Sequence, residues 1–275
     1  MIAPDYFAAS LFAASSAVSS NTGNASPMNA IIMAWIGLCC GSFLNVVIYR
    51  IPRRESIIAG RSRCPACGVD LAWYDLVPLV SFLALRGRCR YCRAPISWRY
   101  PLVEFLTGAL FLVIYLHYGL TPALLKYLFL AALLVAVSFI DLSQFIIPNS
   151  LVLAGLIYGL PIGLLVHDVS LWSMLLGALS TAGFLLVVAL LSGGGMGQGD
   201  IKLGLVTGLF LGWPMGLAGL LLGACLGGFL GIILLAARIR GRKDPIPFGP
   251  FIALGALITM LWGAQILRLA LGIIN

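Results

Sequence analysis

The chain has 275 residues, of which 61% are hydrophobic and only 9% charged. A water-soluble domain carries about 25% charged residues, so a soluble globule is excluded: there is too little polar surface to cover one. The net charge of +8 would suit nucleic acid, but the basic residues cluster at the ends of apolar runs. That is the pattern of loops retained on the cytoplasmic side of a membrane, and no nucleic-acid partner is expected.

Residues 1–28 are rich in Ala and Ser and mildly apolar. No positive stretch precedes residues 7–18, so they are read as a tail and not as a cleavable signal peptide. The first span is expected at 29–49, close to the 20 or so apolar residues that cross a bilayer. It contains Ser42 and Asn45, and Asn45 is expected to hydrogen-bond between helices. Cys39 and Cys40, with Cys225 further on, are read as packing residues.

Residues 50–100 form a charged interruption. They hold ten of the seventeen basic residues, all arginine, against Glu55, Asp70 and Asp75. Within them lie Cys64-Pro65-Ala66-Cys67 and Cys89-Arg90-Tyr91-Cys92, separated by 21 residues. Two such pairs are a strong signature of a tetrathiolate zinc site. With all four positions filled by sulfur, that site is closed and structural. Disulfides are the alternative, and a reducing cytoplasm disfavours them.

Further spans are expected at 101–118, 122–141, 149–167, 171–191, 200–213, 215–237 and 250–272. Pro, Gly and polar clusters punctuate them. Gly223, Gly227 and Gly231 give small-residue steps suited to close helix packing. The fold class is therefore an all-α polytopic membrane protein of about eight transmembrane helices with a cytoplasmic zinc-binding loop domain. Placing residues 50–100 and the Arg238–Lys243 cluster inside puts the N-terminus outside. Lys126 and Arg268, near exterior helix ends, weaken that assignment slightly. The segments carrying Asp141 and Asp200 then face the cytoplasm.

Ionisable groups at membrane depth are costly and usually functional. Two neighbouring carboxylates do not both ionise cheaply, so one keeps a proton while the other acts as a base on water. Such a pair hydrolyses an amide without metal or nucleophilic residue. On spacing alone, Asp141 and Asp200 are equally well explained as helix caps. The run Gly193-Gly194-Gly195-Met196-Gly197-Gln198-Gly199-Asp200 adds a loop where another backbone can approach closely, with Gly197, Gly199 and Lys202 as members of an active-site loop. It has no dinucleotide-binding register. Glu104 stands near the start of the second span, where it can meet a cationic group or pair with Arg99.

Several ordered stretches carry a resemblance over about residues 37–255. They are Gly41 to Arg50, the cysteine module through Arg86-Gly87-Arg88-Cys89 to Tyr100-Pro101-Leu102-Val103-Glu104, Asp141 to Pro148, Gly194 to Leu203, and Pro247-Phe248-Gly249-Pro250. Together they resemble the prepilin peptidases, the type IV leader peptidases of bacterial pilus and type II secretion systems. Gly197-Gln198-Gly199-Asp200 matches that family's G-x-G-D signature.

The resemblance implies that Asp141 and Asp200 form an aspartyl dyad. The dyad would cleave the basic leader of prepilins and pseudopilins at the cytoplasmic face of the bacterial inner membrane. It also implies N-methylation of the new terminus with S-adenosylmethionine. Position 149 is Asn where the family commonly has Asp. The chain is accordingly divided into a tail (1–28), a first helix (29–49), a four-cysteine zinc-binding domain (50–100) and a transmembrane aspartyl peptidase core (101–275).

A basic leader needs acids to meet it, and Glu104, Asp70 and Asp75 are the expected substrate contacts. Membrane lipid is the other expected partner, and the oligomeric state, a homo-oligomer included, is left open. The competing class is an ion or solute transporter using the membrane carboxylates.

Overall fold

The structure, a computed structural model, describes residues 26–193, 196–239, 241 and 244–270. The tail up to residue 25, Gly194, Gly195, Arg240, Arg242, Lys243 and the last two residues of the final expected span lie outside the described residues. Among the described residues, eight helices of fourteen or more residues form a bundle: α1 (Pro27–Arg50), α2 (Arg99–Tyr118), α3 (Pro122–Gln144), α4 (Asn149–Val166), α5 (Leu171–Leu191), α6 (Gln198–Leu211), α7 (Met215–Ala236) and α8 (Gly249–Ala270). There is no strand among them, only two isolated bridges in the loop after α1.

Seven of the eight are long and apolar enough to cross a membrane, and the chain is a multi-pass membrane protein. The exception is α6. Its 14 residues reach about 21 Å at 1.5 Å per residue, short of a hydrocarbon core of about 30 Å. It is buried along most of its length, covered by its neighbours instead of by lipid.

Local chemistry fixes the helix ends. Pro27 and Pro122 occupy first-turn positions of α1 and α3, where a missing N–H costs nothing. Ser170 accepts the Ser173 N–H and starts α5. The α3 helix runs past the expected boundary at 141 because nothing breaks it before Phe145, which adopts φ 56° and closes the helix through its N–H to the Asp141 carbonyl at 2.9 Å.

The core is built around α3, whose buried face includes Leu130, Leu134, Val137 and Ile140. It meets Leu203, Val206 and Phe210 of α6 and Ile252, Ala253 and Ala256 of α8. Close backbone approach needs glycine at two seams. A methyl at Gly41 of α1 would sit 2.7 Å from the Glu104 Cα of α2, and one at Gly223 of α7 would strike the Phe251 carbonyl of α8. Gly223 thus packs as its spacing predicts, Gly227 meets the Phe251 ring, and Gly231 only grazes Ile246. Cys40 packs against the core, whereas Cys39 and Cys225 are exposed on outer helix faces.

Short connections make successive helices antiparallel, so the bundle has two distinct ends. One gathers the loop domain, the end of α3, the starts of α4 and α6, and the start of α8. Hydrogen bonds from Gly249 to Asp141 and from Lys202 to Asn149 tie it together. The other end gathers residues near 118, 168, 213 and 260, joined by Tyr118 to the Met260 carbonyl and by Ser173 to Trp213.

Candidate active site and metal centre

Asp141 lies in the last turn of α3 and Asp200 in the first turn of α6, and both are buried. Apolar packing of α3 against α6 and α8 carries the two carboxyls to the same end of the bundle. Among the described residues neither has a basic partner within ion-pair distance.

Three glycines shape this space. The Gly249 N–H, at the start of α8, donates to Asp141 Oδ2 at 2.9 Å. A methyl at Gly249 would sit 2.8 Å from that oxygen, so glycine is required for the carboxylate to reach a helix N-terminus, where negative charge is stabilised. A methyl at Gly199 would come 2.9 Å from Ile147 Cβ. Gly199 therefore lets α6 begin against the connector after α3. Gly197 precedes α6, and its carbonyl accepts the Asp200 N–H at 3.1 Å. Lys202 is exposed and donates to Asn149 Oδ1 at 2.8 Å, linking the first turns of α6 and α4. Between the end of α5 and the start of α6 runs an open groove of about 600 Å³, lined by Leu186, Ala189, Leu190, Gly193, Met196, Gln198 and Ile201.

The four cysteines of the loop domain converge. The sulfurs of Cys64, Cys67, Cys89 and Cys92 all lie within 4.8 Å of one another, and the Cys64–Cys92 pair is 3.8 Å apart. A tetrahedral zinc with sulfur at about 2.3 Å needs sulfur–sulfur edges of about 3.8 Å, so the set can hold a metal ion of that size. The two halves are built alike. The Gly68 N–H bonds the Cys64 carbonyl and the Cys64 N–H bonds Val69, while Arg93 bonds Cys89 and Cys89 bonds Ala94. The Cys67 backbone N–H leads in pulling the Cys64 thiol down to about 7, which favours the thiolate a metal requires.

The three acids expected to meet substrate are occupied internally. Asp70 pairs with Arg63 at 2.6 Å. Asp75 pairs with Arg90 at 2.7 Å and also accepts the Tyr91 hydroxyl and the Ala72 N–H. Glu104 accepts the Leu79 N–H at 2.8 Å and forms no ion pair with Arg99. All three hold the loop domain together or to the bundle. Asn45 does bond between helices, from Nδ2 to the Tyr100 carbonyl at 3.1 Å. Sequence reasoning missed the internal pairing of Asp75 with Arg90.

Comparison with known proteins adds a second line of evidence. Residues 35–118 match the model of the bacterial peptidase A24 N-terminal domain, and residues 128–232 that of the type IV leader peptidase family. A "Prepilin leader peptidase/N-methyltransferase" of Myxococcus xanthus (strain DK1622) is 42% identical over 82% of this chain and 69% of its own length. One of Aeromonas hydrophila is 40% identical over 84% and 90%, and one of Bacillus subtilis (strain 168) is 35% identical over 88% and 99%. No solved structure matches significantly.

Proposed function

This chain belongs to the type IV leader peptidase family, and from that premise we propose that Asp141 and Asp200 cleave the leader from prepilins and pseudopilins. The observation that supports this reading is the placement of two buried carboxylates, Asp141 in the last turn of α3 and Asp200 in the first turn of α6, at one end of the bundle. The dyad holds one proton between its two carboxyls. Asp141, already accepting the Gly249 N–H, is the base that takes a proton from water. Asp200 carries the shared proton and donates to the scissile carbonyl oxygen. Water adds to the carbonyl carbon, and the tetrahedral intermediate collapses as the amine leaves with a proton from the dyad.

The substrate strand lies along the glycine-rich segment before α6, with the groove beside Met196 and Ile201 receiving its apolar part. A second activity, methylation of the exposed amine by S-adenosylmethionine, follows from the family. The loop domain holds a structural zinc at Cys64, Cys67, Cys89 and Cys92. The domain and both aspartates face the cytoplasm of a bacterial inner membrane, as the arginine-rich loop supports. Both carboxyls sit at helix ends and not at mid-bundle, which disfavours a transport pathway.

The test is direct. Asp141→Asn and Asp200→Asn should each lower cleavage of a purified prepilin by about 10²–10⁴-fold, the usual range for a removed acid or base. Methylation of a pre-cut pilin should persist in both. Cleavage at the wild-type rate by both variants would end this reading.

A further inference from the structure

The loop domain contains one stretch that its charged surroundings do not explain. From Leu76 to Leu85 there is no charged residue and a single hydroxyl, Ser81. Residues Val80–Ala84 form a short helix whose polarity is reversed for a water-facing element. Ser81 is buried and donates to the Tyr74 carbonyl at 2.7 Å, while Val80 is 53% and Leu83 70% exposed on the opposite side. Three residues apart, these two share a helix face.

Its depth is fixed by two contacts. The Leu79 N–H is bonded to Glu104, five positions into α2 and about 7.5 Å beyond its first residue. The Phe82 ring packs on Trp98 with centroids 4.9 Å apart, and Trp98 immediately precedes α2 and is 75% exposed. Interfacial helices bury their apolar face by about 5–10 Å, and tryptophan collects at the headgroup level. Most of the segment's backbone donors are satisfied internally, as leaving water demands. Ser81 bonds Val77, Leu83 bonds Leu79, Leu85 bonds Ser81, and Gly87 closes the turn on Phe82 at 2.9 Å. Arg86 and Arg88 then follow, both exposed, placed to meet anionic headgroups.

We propose that Leu76–Leu85 is a membrane-seated element, inserted in the lipid interface beside α1 and α2, so that the metal-binding domain rests on the bilayer. Its partner is lipid, through Val80 and Leu83 below and Arg86 and Arg88 at headgroup level. The proposal does not depend on the peptidase assignment.

The experiment uses the full chain in nanodiscs of phosphatidylethanolamine and phosphatidylglycerol. These are doped with a phospholipid carrying a diazirine near the top of its acyl chain, and adducts are mapped by mass spectrometry. Adducts are expected on Leu76–Leu85, strongest at Leu83, and absent from Val69, an exposed apolar residue of the metal-binding loops. Leu83→Asp should reduce labelling of the segment several-fold while leaving α4 labelled as before and bound metal unchanged. Labelling of α4 and α5 with none on Leu76–Leu85 would overturn the proposal. So would labelling that a saturating prepilin abolishes, which would make this face a protein dock.

Discussion

The two ends of the bundle treat buried charge in opposite ways. At the far end, Lys126 is fully buried in α3, and its ammonium bonds both oxygens of Asp168 at 2.8 and 3.0 Å. The Tyr127 hydroxyl completes Asp168 at 2.7 Å, Tyr127 stacks on Tyr118, and Tyr118 reaches the Met260 carbonyl of α8. Lys126 and Asp168 there answer each other's charge. At the near end, among the described residues, neither buried Asp141 nor buried Asp200 has an ion-pair partner, and Asp141 accepts the Gly249 N–H at the start of α8. One end is a lock, satisfied by its own residues. The other is left short of partners, which water and a substrate carbonyl would supply.

The sharpest way to break the contrast is to remove one charge from each end. At the near end, the asparagine substitutions at Asp141 and Asp200 should cost about 10²–10⁴-fold in cleavage with little change in thermal stability. Cleavage should follow a bell-shaped pH profile, failing at low pH when both carboxyls are protonated and at high pH when both are ionised. At the far end, Asp168→Ala should do the reverse. It leaves the buried Lys126 charge unpaired and should lower stability by about 3–5 kcal/mol, read by denaturation in detergent, while folded enzyme keeps its rate. The pair Lys126→Met with Asp168→Ala should recover most of that loss.

Smaller changes sharpen the comparison within the near end. Gly249→Ala would force a methyl to 2.8 Å from Asp141 Oδ2, and a misplacement of about 1 Å can cost about 10²-fold in rate. The fall should be in kcat, with the fold intact by circular dichroism. Asn149→Asp gives Lys202 an ion-pair partner at an exposed position. Such pairs are worth about 0.2–1 kcal/mol, so it should raise the melting temperature slightly and vanish as an effect in high salt.

Much of this was legible in the sequence, for physical reasons. Apolar runs of spanning length declare themselves, and so do two C-x-x-C pairs, because four thiols that could share one ion need that spacing. The short sixth span was visible as well, since Trp213-Pro214 and the glycine run bound it closely. The pairing of Asp141 with Asp200 was legible only through the family resemblance, because helix caps and catalysts share the same positions and spacing alone does not bring two distant helices together. The lock between Lys126 and Asp168 was hidden for the same reason. The internal partners of the loop-domain acids were hidden because an acid in an arginine-rich stretch has many candidate partners, of which Asp75 takes Arg90. The Leu76–Leu85 run was too short to read as a span, and the surrounding arginines masked it as part of a water-facing domain.

The Gly249 N–H has a consequence for handedness. A free carboxylate is symmetric, and its two oxygens exchange by a turn of one bond. Fastening Oδ2 of Asp141 to the start of α8 ends that equivalence and leaves Oδ1 as the oxygen without this bond. A water held there stands on one side of the cleft only, so a peptide lying along the start of α6 would be attacked on one prochiral face.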